Sequence, residues 1–205
     1  MGTAEKVDLF KQHKNEYVAK KTPAIIAMKK ARYLAASGHG SPGGEAFQAS
    51  IGALYSTAYT IKMTRKHAGK GDFVVGKLEG QYWHDRPASE WSKVPTEEWD
   101  WQLLIRVPEA VGKRDLSAAV KRLHERGTEY PVENVALIDV SEGPCVQMLH
   151  VGPYDREHET IRQMLEHAAV EGYEFHGRHH EIYLSDPNRS APEKLRTILR
   201  MPVKK

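Results

Sequence analysis

Apolar residues along the chain switch between strand-like and helix-like spacing, and the order of the switches predicts the elements. Residues 24–37 are rich in apolar residues without helical spacing, which predicts a strand that is bent or interrupted at residues 29–30. After a turn cluster, residues 45–68 repeat apolar side chains at helical spacing and predict a long amphipathic helix. Residues 73–85 predict one or two strands, and residues 99–108 predict another. The first half therefore runs strand, turn, long helix, strand, loop, strand.

The same order begins again in the second half of the chain. Residues 113–127 predict a helix, and residues 135–152 predict a pair of strands broken by "SEGP". Residues 152–172 begin with a turn and continue as an amphipathic helix. The segments "HHEIYLSDP" (179–187) and "LRTILRMPV" (195–203) predict two short strands.

Identical residues at equivalent positions of the two halves support an internal duplication. Tyr183 matches Tyr82 when the halves are aligned, and Arg200 in "TILRMP" matches Arg106 in "LLIRVP". Together with the matching order of elements, these identical residues predict an α+β fold built from duplicated βαββ units. We expect the units to pair about a pseudo-twofold axis into one antiparallel sheet, with helices on one face and a ligand cleft on the other.

The predicted domain organisation follows from this repeat. One domain spans residues 23–203, with repeat one at 23–108 and repeat two at 113–203. The polar, lysine-rich residues 1–22 are predicted to be a lead-in to the domain. Residues 86–98 are predicted to be a loop between two strands.

Composition excludes several classes of protein. Lys and Arg total 30 against 27 Asp and Glu, and the net charge of +3 does not by itself predict a nucleic-acid partner. No apolar stretch approaches the roughly 20 residues of a membrane span, and the N-terminus lacks an apolar signal core. We therefore expect a soluble, cytoplasmic protein with no membrane partner. The single cysteine, Cys145, excludes an internal disulfide and a structural cysteine-based zinc site.

The strand "HHEIYLSDP" carries a carboxylate at its centre. By the period of two, His179, Glu181 and Tyr183 share one face, while Ile182 and Leu184 share the other. The apolar pair is suited to packing under a helix, so we expect Glu181 and Tyr183 to face the cleft. A solvent-exposed sheet face is the alternative, since Glu and Tyr are readily accommodated there.

The density of aromatic residues favours the cleft. A carboxylate among rings is partly desolvated, which raises its pKa and attracts a cation that also stacks on the rings. The same geometry suits a general base, with Glu181 activating water and Tyr183 donating a proton or orienting a leaving group. Trp99 and Trp101 are equally compatible with the core. The predicted ligand-binding residues are Glu181, Tyr183, Tyr55, Tyr59, Tyr82, Trp83, Trp101 and Tyr154.

Other motifs are assigned to structure rather than to chemistry. In "HGRHHE" (176–181), His176 and His179 could converge, but His179 and His180 point to opposite faces of a strand, and we predict no metal site. "GHGSPGG" (38–44) lacks the Lys-Ser/Thr of a phosphate loop and predicts a turn. No cofactor is expected.

Over about residues 8–203, the chain resembles the GyrI-like proteins, stand-alone relatives of the effector-binding domains of multidrug-sensing regulators. The resemblance implies an SHS2-type pair of βαββ units, with a central cleft that holds bulky aromatic, often cationic compounds. The family's cleft glutamate corresponds to Glu181 and its strand tyrosine to Tyr183, whereas Tyr82–Trp83 stands where two tryptophans are often seen. The resemblance rests on these segments in consistent order: "GEAFQASIGALYSTAYTIKM", "KLEGQYWHD", "WDWQLLIRVPE", "LHVGPYDREHETIRQML", "HHEIYLSDP" and "KLRTILRMPV".

The resemblance implies two functions of different classes. The first hypothesis is a cytoplasmic multidrug- or toxin-binding protein that holds hydrophobic, aromatic, often cationic compounds against a buried Glu181. The second is a hydrolase with catalytic Glu181 and Tyr183, because some stand-alone members hydrolyse the cyclopropane ring of DNA-alkylating natural products. The N-terminal residues 1–21 are too short for a helix-turn-helix, so direct DNA binding is not expected. The family name alone suggests a protein partner.

Overall fold

The structure, a computed structural model, describes residues 6–86 and 93–205. These residues contain nine β-strands and five α-helices. The helices are α1 (Leu9–Gln12), α2 (Lys14–Tyr17), α3 (Glu45–His67), α4 (Lys113–Glu125) and α5 (Glu157–Val170). The strands are β1 (Ala24–Met28), β2 (Ala31–His39), β3 (Leu78–Trp83), β4 (Asp100–Arg106), β5 (Ala136–Val140), β6 (Gly143–Val151), β7 (Glu174–Phe175), β8 (His179–Tyr183) and β9 (Arg196–Lys204).

The predicted long helices and most predicted strands are confirmed. Helices α3, α4 and α5 lie inside the predicted spans, and the first strand is interrupted at residues 29–30, between β1 and β2. Helices α1 and α2 in the lead-in, and the two-residue strand β7, were not predicted. Residues 1–5 of the lead-in and residues 87–92 of the predicted loop lie outside the described residues. None of the described helices is long and apolar enough to cross a membrane.

The strand order of the sheet is mirrored about its centre. It runs β1-β6-β9-β8-β3-β4-β2-β5, with β7 paired to β9, and all of these pairings are antiparallel. Equivalent strands follow on either side of the contact between β3 and β8, as expected for a pseudo-twofold pair. The interruption at residues 29–30 lets β1 pair with β6, while β5 pairs with β2. The predicted α+β class and antiparallel sheet are confirmed, and each half adds an edge strand to the other.

Helices α3 and α5 cover the outer strands of one sheet face. Leu54 and Ile61 of α3 belong to one buried cluster with Leu103 of β4. Met164 of α5 belongs to a second buried cluster with Val146 of β6. Because α3 packs over β2 and β4, and α5 over β6 and β1, the central strands β3 and β8 lie between the two helices.

The opposite face of the sheet, called the reverse face below, buries charged residues beneath α1 and α2. Arg106 Nη1 donates to Glu16 Oε2 at 2.5 Å, and Tyr17 Oη donates to Glu79 Oε1 at 2.8 Å. Arg200 Nη2 donates to the backbone carbonyl of Glu16 at 2.5 Å. The lead-in therefore contributes partners to charges that the sheet buries.

His180 lies at the centre of this reverse-face network and has no exposed surface. Its Nδ1 lies 2.8 Å from Glu142 Oε1, and its Nε2 lies 3.1 Å from Glu79 Oε2. Burial alone would lower the pKa of His180, but the two carboxylates outweigh burial and raise it to about 9. Burial acts to raise the pKa of Glu142, yet His180 and Arg200 lower it to about 2. His180 is therefore an imidazolium at neutral pH.

The sheet face that carries Glu181 differs from the prediction. Glu181 lies opposite Leu199 of β9 and Gly80 of β3, and Leu199 belongs to the buried cluster under α5. Ile182 points to the reverse face, where it clusters with Tyr17 of α2. The expectation that Glu181 faces away from the long helices is therefore corrected. The short α2 covers the apolar side chain of β8, which leaves Glu181 on the face of the long helices.

Gly80 makes room for an aromatic ring at the centre of the sheet. A methyl group at Gly80 would lie 2.7 Å from Tyr82 Oη and 2.9 Å from a carbon of the same ring. The ring of Tyr82 therefore lies along its own strand over Gly80, and its hydroxyl reaches that of Tyr183 at 2.5 Å. A strand glycine often marks such a close approach.

We expect the free energy of unfolding to fall as the pH rises from neutrality past about 9, because His180 then loses its proton. A histidine with a pKa of about 9 in the folded state, against an ordinary 6.5, stabilises the fold fully below the lower value. That contribution, at most about 3 kcal/mol at about 1.4 kcal/mol per pKa unit, is lost as the pH rises through the higher value. Urea unfolding across this range measures it. His180→Gln should flatten the slope, whereas His176→Gln, at an exposed position, should keep it; an unchanged slope in His180→Gln would contradict the assignment.

Gly80→Ala is expected to displace the ring of Tyr82 and separate the two tyrosine hydroxyls. The overpacking should lower the free energy of unfolding by about 1–3 kcal/mol, measured by urea titration. Gly76→Ala is the matched control, since a methyl group there meets ordinary contacts, the nearest at 3.4 Å. Equal losses in the two variants would show that the ring does not depend on Gly80.

Candidate active site

Glu181 is held by its neighbours on the same face of β8. Tyr183 Oη donates to Glu181 Oε2 at 2.7 Å, and His179 Nε2 lies 3.0 Å from Oε1. Tyr183 has a single hydroxyl proton, so the 2.5 Å contact between Tyr82 Oη and Tyr183 Oη is donated by Tyr82. Only 8% of Glu181 is exposed. The predicted sharing of one face by these three β8 residues is therefore confirmed, and it brings a donor to each oxygen of the carboxylate.

A second carboxyl group, that of Glu157, lies against Glu181. Glu157 is the first residue of α5 and is 7% exposed. Burial, the charge of Glu181 and a hydrogen bond between the two carboxyl groups raise the pKa of Glu157 well above its ordinary value, and Thr197 opposes this rise. The raised pKa favours the protonated form of Glu157, in which its carboxyl group can donate a hydrogen bond to Glu181.

Glu157 and His179 were not among the predicted site residues. An acidic residue in the first turn of a helix is common, because it complements the helix dipole, so nothing in the sequence distinguishes Glu157. His179 was considered only as a metal ligand. Its place on the face of Glu181 was predicted, and a contact between neighbours on one strand face is the signal that could have identified it.

Three tyrosine rings surround Glu181 and Glu157, called the acid pair below. Burial and Glu181 raise the pKa values of Tyr183 and Tyr82 well above 10, so both keep their protons. Tyr154 precedes α5 and is 38% exposed, and its ring meets that of Tyr183 edge-on with 6.0 Å between centroids. Burial, Glu157 and Glu181 raise the pKa of Tyr154 to about 12. The acid pair is thus enclosed by rings, with Tyr154 at the boundary to solvent.

Tyr55 and Tyr59 form a stacked pair on α3, with 6.4 Å between ring centroids. Tyr59 is exposed, whereas Tyr55 is half-buried, and burial raises the pKa of Tyr55. Asp186, in the turn after β8, adds to this rise and also to that of Tyr154. The stacked pair therefore lies near the same turn as Tyr154, and among the described residues it has no hydrogen bond to Glu181.

The structure does not bring the two predicted tryptophans to Glu181. Alternation along β3 sends Trp83 to the reverse face, where it stacks on Arg178. Trp101 is buried in the core and packs edge-on against Phe47, with 5.1 Å between ring centroids. Adjacent strand residues such as Tyr82 and Trp83 cannot both face one site.

The acid pair also offers possible metal ligands. Glu157, His179 and Glu181 each present one ligand atom, and these atoms all lie within 4.8 Å of one another. A histidine nitrogen and two carboxylate oxygens are donors that divalent first-row metals accept. His176 is exposed and does not belong to this group. The absence of a metal stays a prediction, since it rested on strand geometry alone and did not consider a ligand from α5.

Two cavities in the described part of the chain are lined by neither carboxyl group of the acid pair. One of about 200 Å³ lies beneath α1, where Tyr17 and Arg106 line it. Another of about 270 Å³ lies beside the start of α5, where His150 and Thr160 line it. Neither is lined by Glu181. Chemistry rather than volume identifies the candidate site, because clustered buried groups with perturbed pKa values mark functional sites.

Comparison with known proteins places the chain among relatives of the same fold. A family model described as "GyrI-like small molecule binding domain" matches residues 21–204. No curated protein matches the chain. A solved structure of a hydrolase from Listeria innocua is 35% identical over 97% of this chain and 100% of that chain, with a TM-score of 0.87. An uncharacterized conserved protein from Listeria innocua has the same identity and coverage, with a TM-score of 0.89.

A more distant structure shares the fold alone. The C-terminal domain of EcmrR is 14% identical over 90% of this chain and 98% of that chain, with a TM-score of 0.57. The family model extends from residue 21, just before β1, to the end of β9, so it includes both halves of the sheet. The chain therefore belongs to the family of GyrI-like small-molecule-binding domains.

Proposed function

We propose that the protein binds a small aromatic molecule over the Glu181–Glu157 pair and hydrolyses a strained electrophilic ring in it, such as a cyclopropane. The observation that carries this proposal is the burial of two carboxyl groups side by side, with the pKa of Glu157 raised well above its ordinary value. Where the pKa of one of two neighbouring carboxyl groups is raised, the pair can supply an acid and a base in one reaction. The Listeria innocua hydrolase, 35% identical over 97% of this chain, supports an enzymatic role.

Glu181 is the general base of this reaction. It takes a proton from a water molecule whose oxygen attacks a ring carbon of the substrate. A carbon–carbon bond of the ring breaks, and its electron pair moves to the electron-withdrawing group of the substrate, which takes a proton from Glu157. One water is added in total. A proton then passes from Glu181 to Glu157 across their hydrogen bond and restores the starting state.

The neighbours of Glu181 orient the base and bind the substrate. Tyr183 and His179 each contact one carboxylate oxygen, which fixes the plane of the carboxylate while leaving it lone pairs for water. The raised pKa of Tyr183 suits a hydrogen-bond donor that keeps its proton, so the acid role falls to Glu157. The exposed rings of Tyr154 and Tyr59 are suited to stack on a planar substrate.

Binding without chemistry is the second candidate function. Among the described residues, no Lys or Arg nitrogen lies within 4.0 Å of a carboxylate oxygen of Glu181 or Glu157. A negative charge among rings with no lysine or arginine beside it favours a cationic aromatic guest. In this case the wild-type protein would take up one equivalent of such a compound and release it unchanged.

Glu181→Gln is expected to lower hydrolysis of a cyclopropane-bearing DNA-alkylating compound by about 10²–10⁴-fold, because glutamine keeps the shape of the side chain but cannot accept the proton. Mass spectrometry of a multiple-turnover reaction in ¹⁸O-labelled water measures the labelled adduct. Glu159→Gln, at a partly exposed position on α5, is the control and should react as the wild type does. Full activity in Glu181→Gln would refute the base, and stoichiometric uptake without product by the wild type would favour the binding function.

The hydrolysis rate is expected to fall as the pH rises through the raised pKa of Glu157, because the reaction needs the protonated acid. Glu157→Gln should lower the rate and also remove this alkaline fall, since glutamine does not titrate. The pH dependence of kcat/KM in the wild type and in the variant tests both statements. A rate that declines with the same midpoint in Glu157→Gln would assign the fall to a different group.

A further inference from the structure

Arg178 and Trp83 form a stacked pair on the reverse face, away from the acid pair. The guanidinium carbon of Arg178 lies 3.6 Å from the centroid of the Trp83 ring, and both side chains are half-buried. The register explains the pair. Tyr82 of β3 lies opposite His179 of β8, so the next positions, Trp83 and Arg178, meet on the reverse face. The stack therefore spans the contact between the two halves of the sheet.

Hydrogen bonds fix the orientation of the guanidinium. Arg178 Nη1 lies 3.2 Å from Gln102 Oε1 and 3.5 Å from Gln81 Oε1, so the two N–H groups of Nη1 have amide acceptors. Within residues 6–86 and 93–205, Nε and Nη2 have no hydrogen-bond acceptor. The Nε–Nη2 edge is one of those that forms two parallel bonds with a carboxylate.

The charge of Arg178 has no ion-pair partner in the described part of the chain, where no carboxylate oxygen lies within 4.0 Å of its nitrogens. Partial burial lowers the pKa of Arg178, and the carboxylate that opposes this effect, Asp100, is paired with His39 at 3.0 Å. A guanidinium held out of water is usually matched by an anion, as the buried Arg106 is matched by Glu16 on the same face.

We propose that the Nε–Nη2 edge of Arg178 binds the carboxylate group of a small ligand, with Trp83 holding the guanidinium plane in position. Arginine stacked on an aromatic ring and anchored at one nitrogen is pre-organised for planar, bidentate recognition. The site is separate from the acid pair and does not depend on the proposed hydrolysis. A bound carboxylate would sit on the reverse side of the strands that carry Tyr82 and Glu181.

The test follows the Arg178 Nε–Hε resonance of ¹⁵N-labelled full-length protein during titration with sodium acetate, at constant ionic strength set with sodium chloride. A saturable shift is expected with acetate. Arg178→Lys keeps the charge but loses the planar guanidinium that forms two parallel hydrogen bonds, so acetate binding should weaken at least about tenfold. Because the variant lacks the arginine resonance, its acetate binding is followed through the Trp83 indole resonance. Trp83→Leu should also weaken it, because the stacking plane is lost, whereas Arg196→Lys, at an exposed position on β9, should not.

Three results would overturn the proposal. The first is an acetate response that does not saturate, which would indicate general ionic effects. The second is equal acetate binding by Arg178→Lys and the wild type, which would indicate a point charge rather than a fork. The third is saturation by inorganic phosphate but not by acetate, which would assign the edge to tetrahedral oxyanions. Thermal unfolding of each variant checks that a lost response does not come from a lost fold.

Discussion

The burial of charged groups at the centre of the sheet is the constraint on which the rest of the structure depends. Strand β8 carries His179 and Glu181 on one face and His180 on the other, and each of the three is at least nine-tenths buried. A buried charge is costly unless a partner inside the protein compensates it. The two faces of β8 compensate their buried charges in different ways.

On the reverse face, the compensation is complete and fixed. Three cations, Arg106, Arg200 and His180, meet three anions, and two of the anions, Glu79 and Glu142, flank His180. The third anion comes from the lead-in, which the family model excludes. Removing one member of such a network leaves its partner as an uncompensated buried charge. The network therefore ties the lead-in and the turn between β5 and β6 to the strand that carries Glu181.

On the helix face, the compensation is a proton. The raised pKa of Glu157 favours its protonated form beside Glu181, and among the described residues no Lys or Arg nitrogen lies within 4.0 Å of either carboxyl group. A proton can move, whereas an arginine cannot, so the same physical requirement yields a fixed ion-pair network on one side of β8 and a pair of carboxyl groups that can exchange a proton on the other. The mirrored strand order places both at the contact between the two halves, where β3 contributes Gly80 and Tyr82.

Local patterns determined much of this protein from the sequence alone. The periods of two and 3.6 predicted the long helices, most of the strands and the shared face of Glu181 and Tyr183, because side-chain direction within one element depends only on spacing. The residues repeated in the two halves predicted the duplicated α+β arrangement. Tertiary structure decided which elements cover each face, and it placed Glu181 on the face of α3 and α5 and Trp83 on the reverse face. It also brought Glu157 of α5 to Glu181. Contacts between elements distant in sequence depend on how the helices cover the sheet, and the spacing of residues within one element does not contain this information.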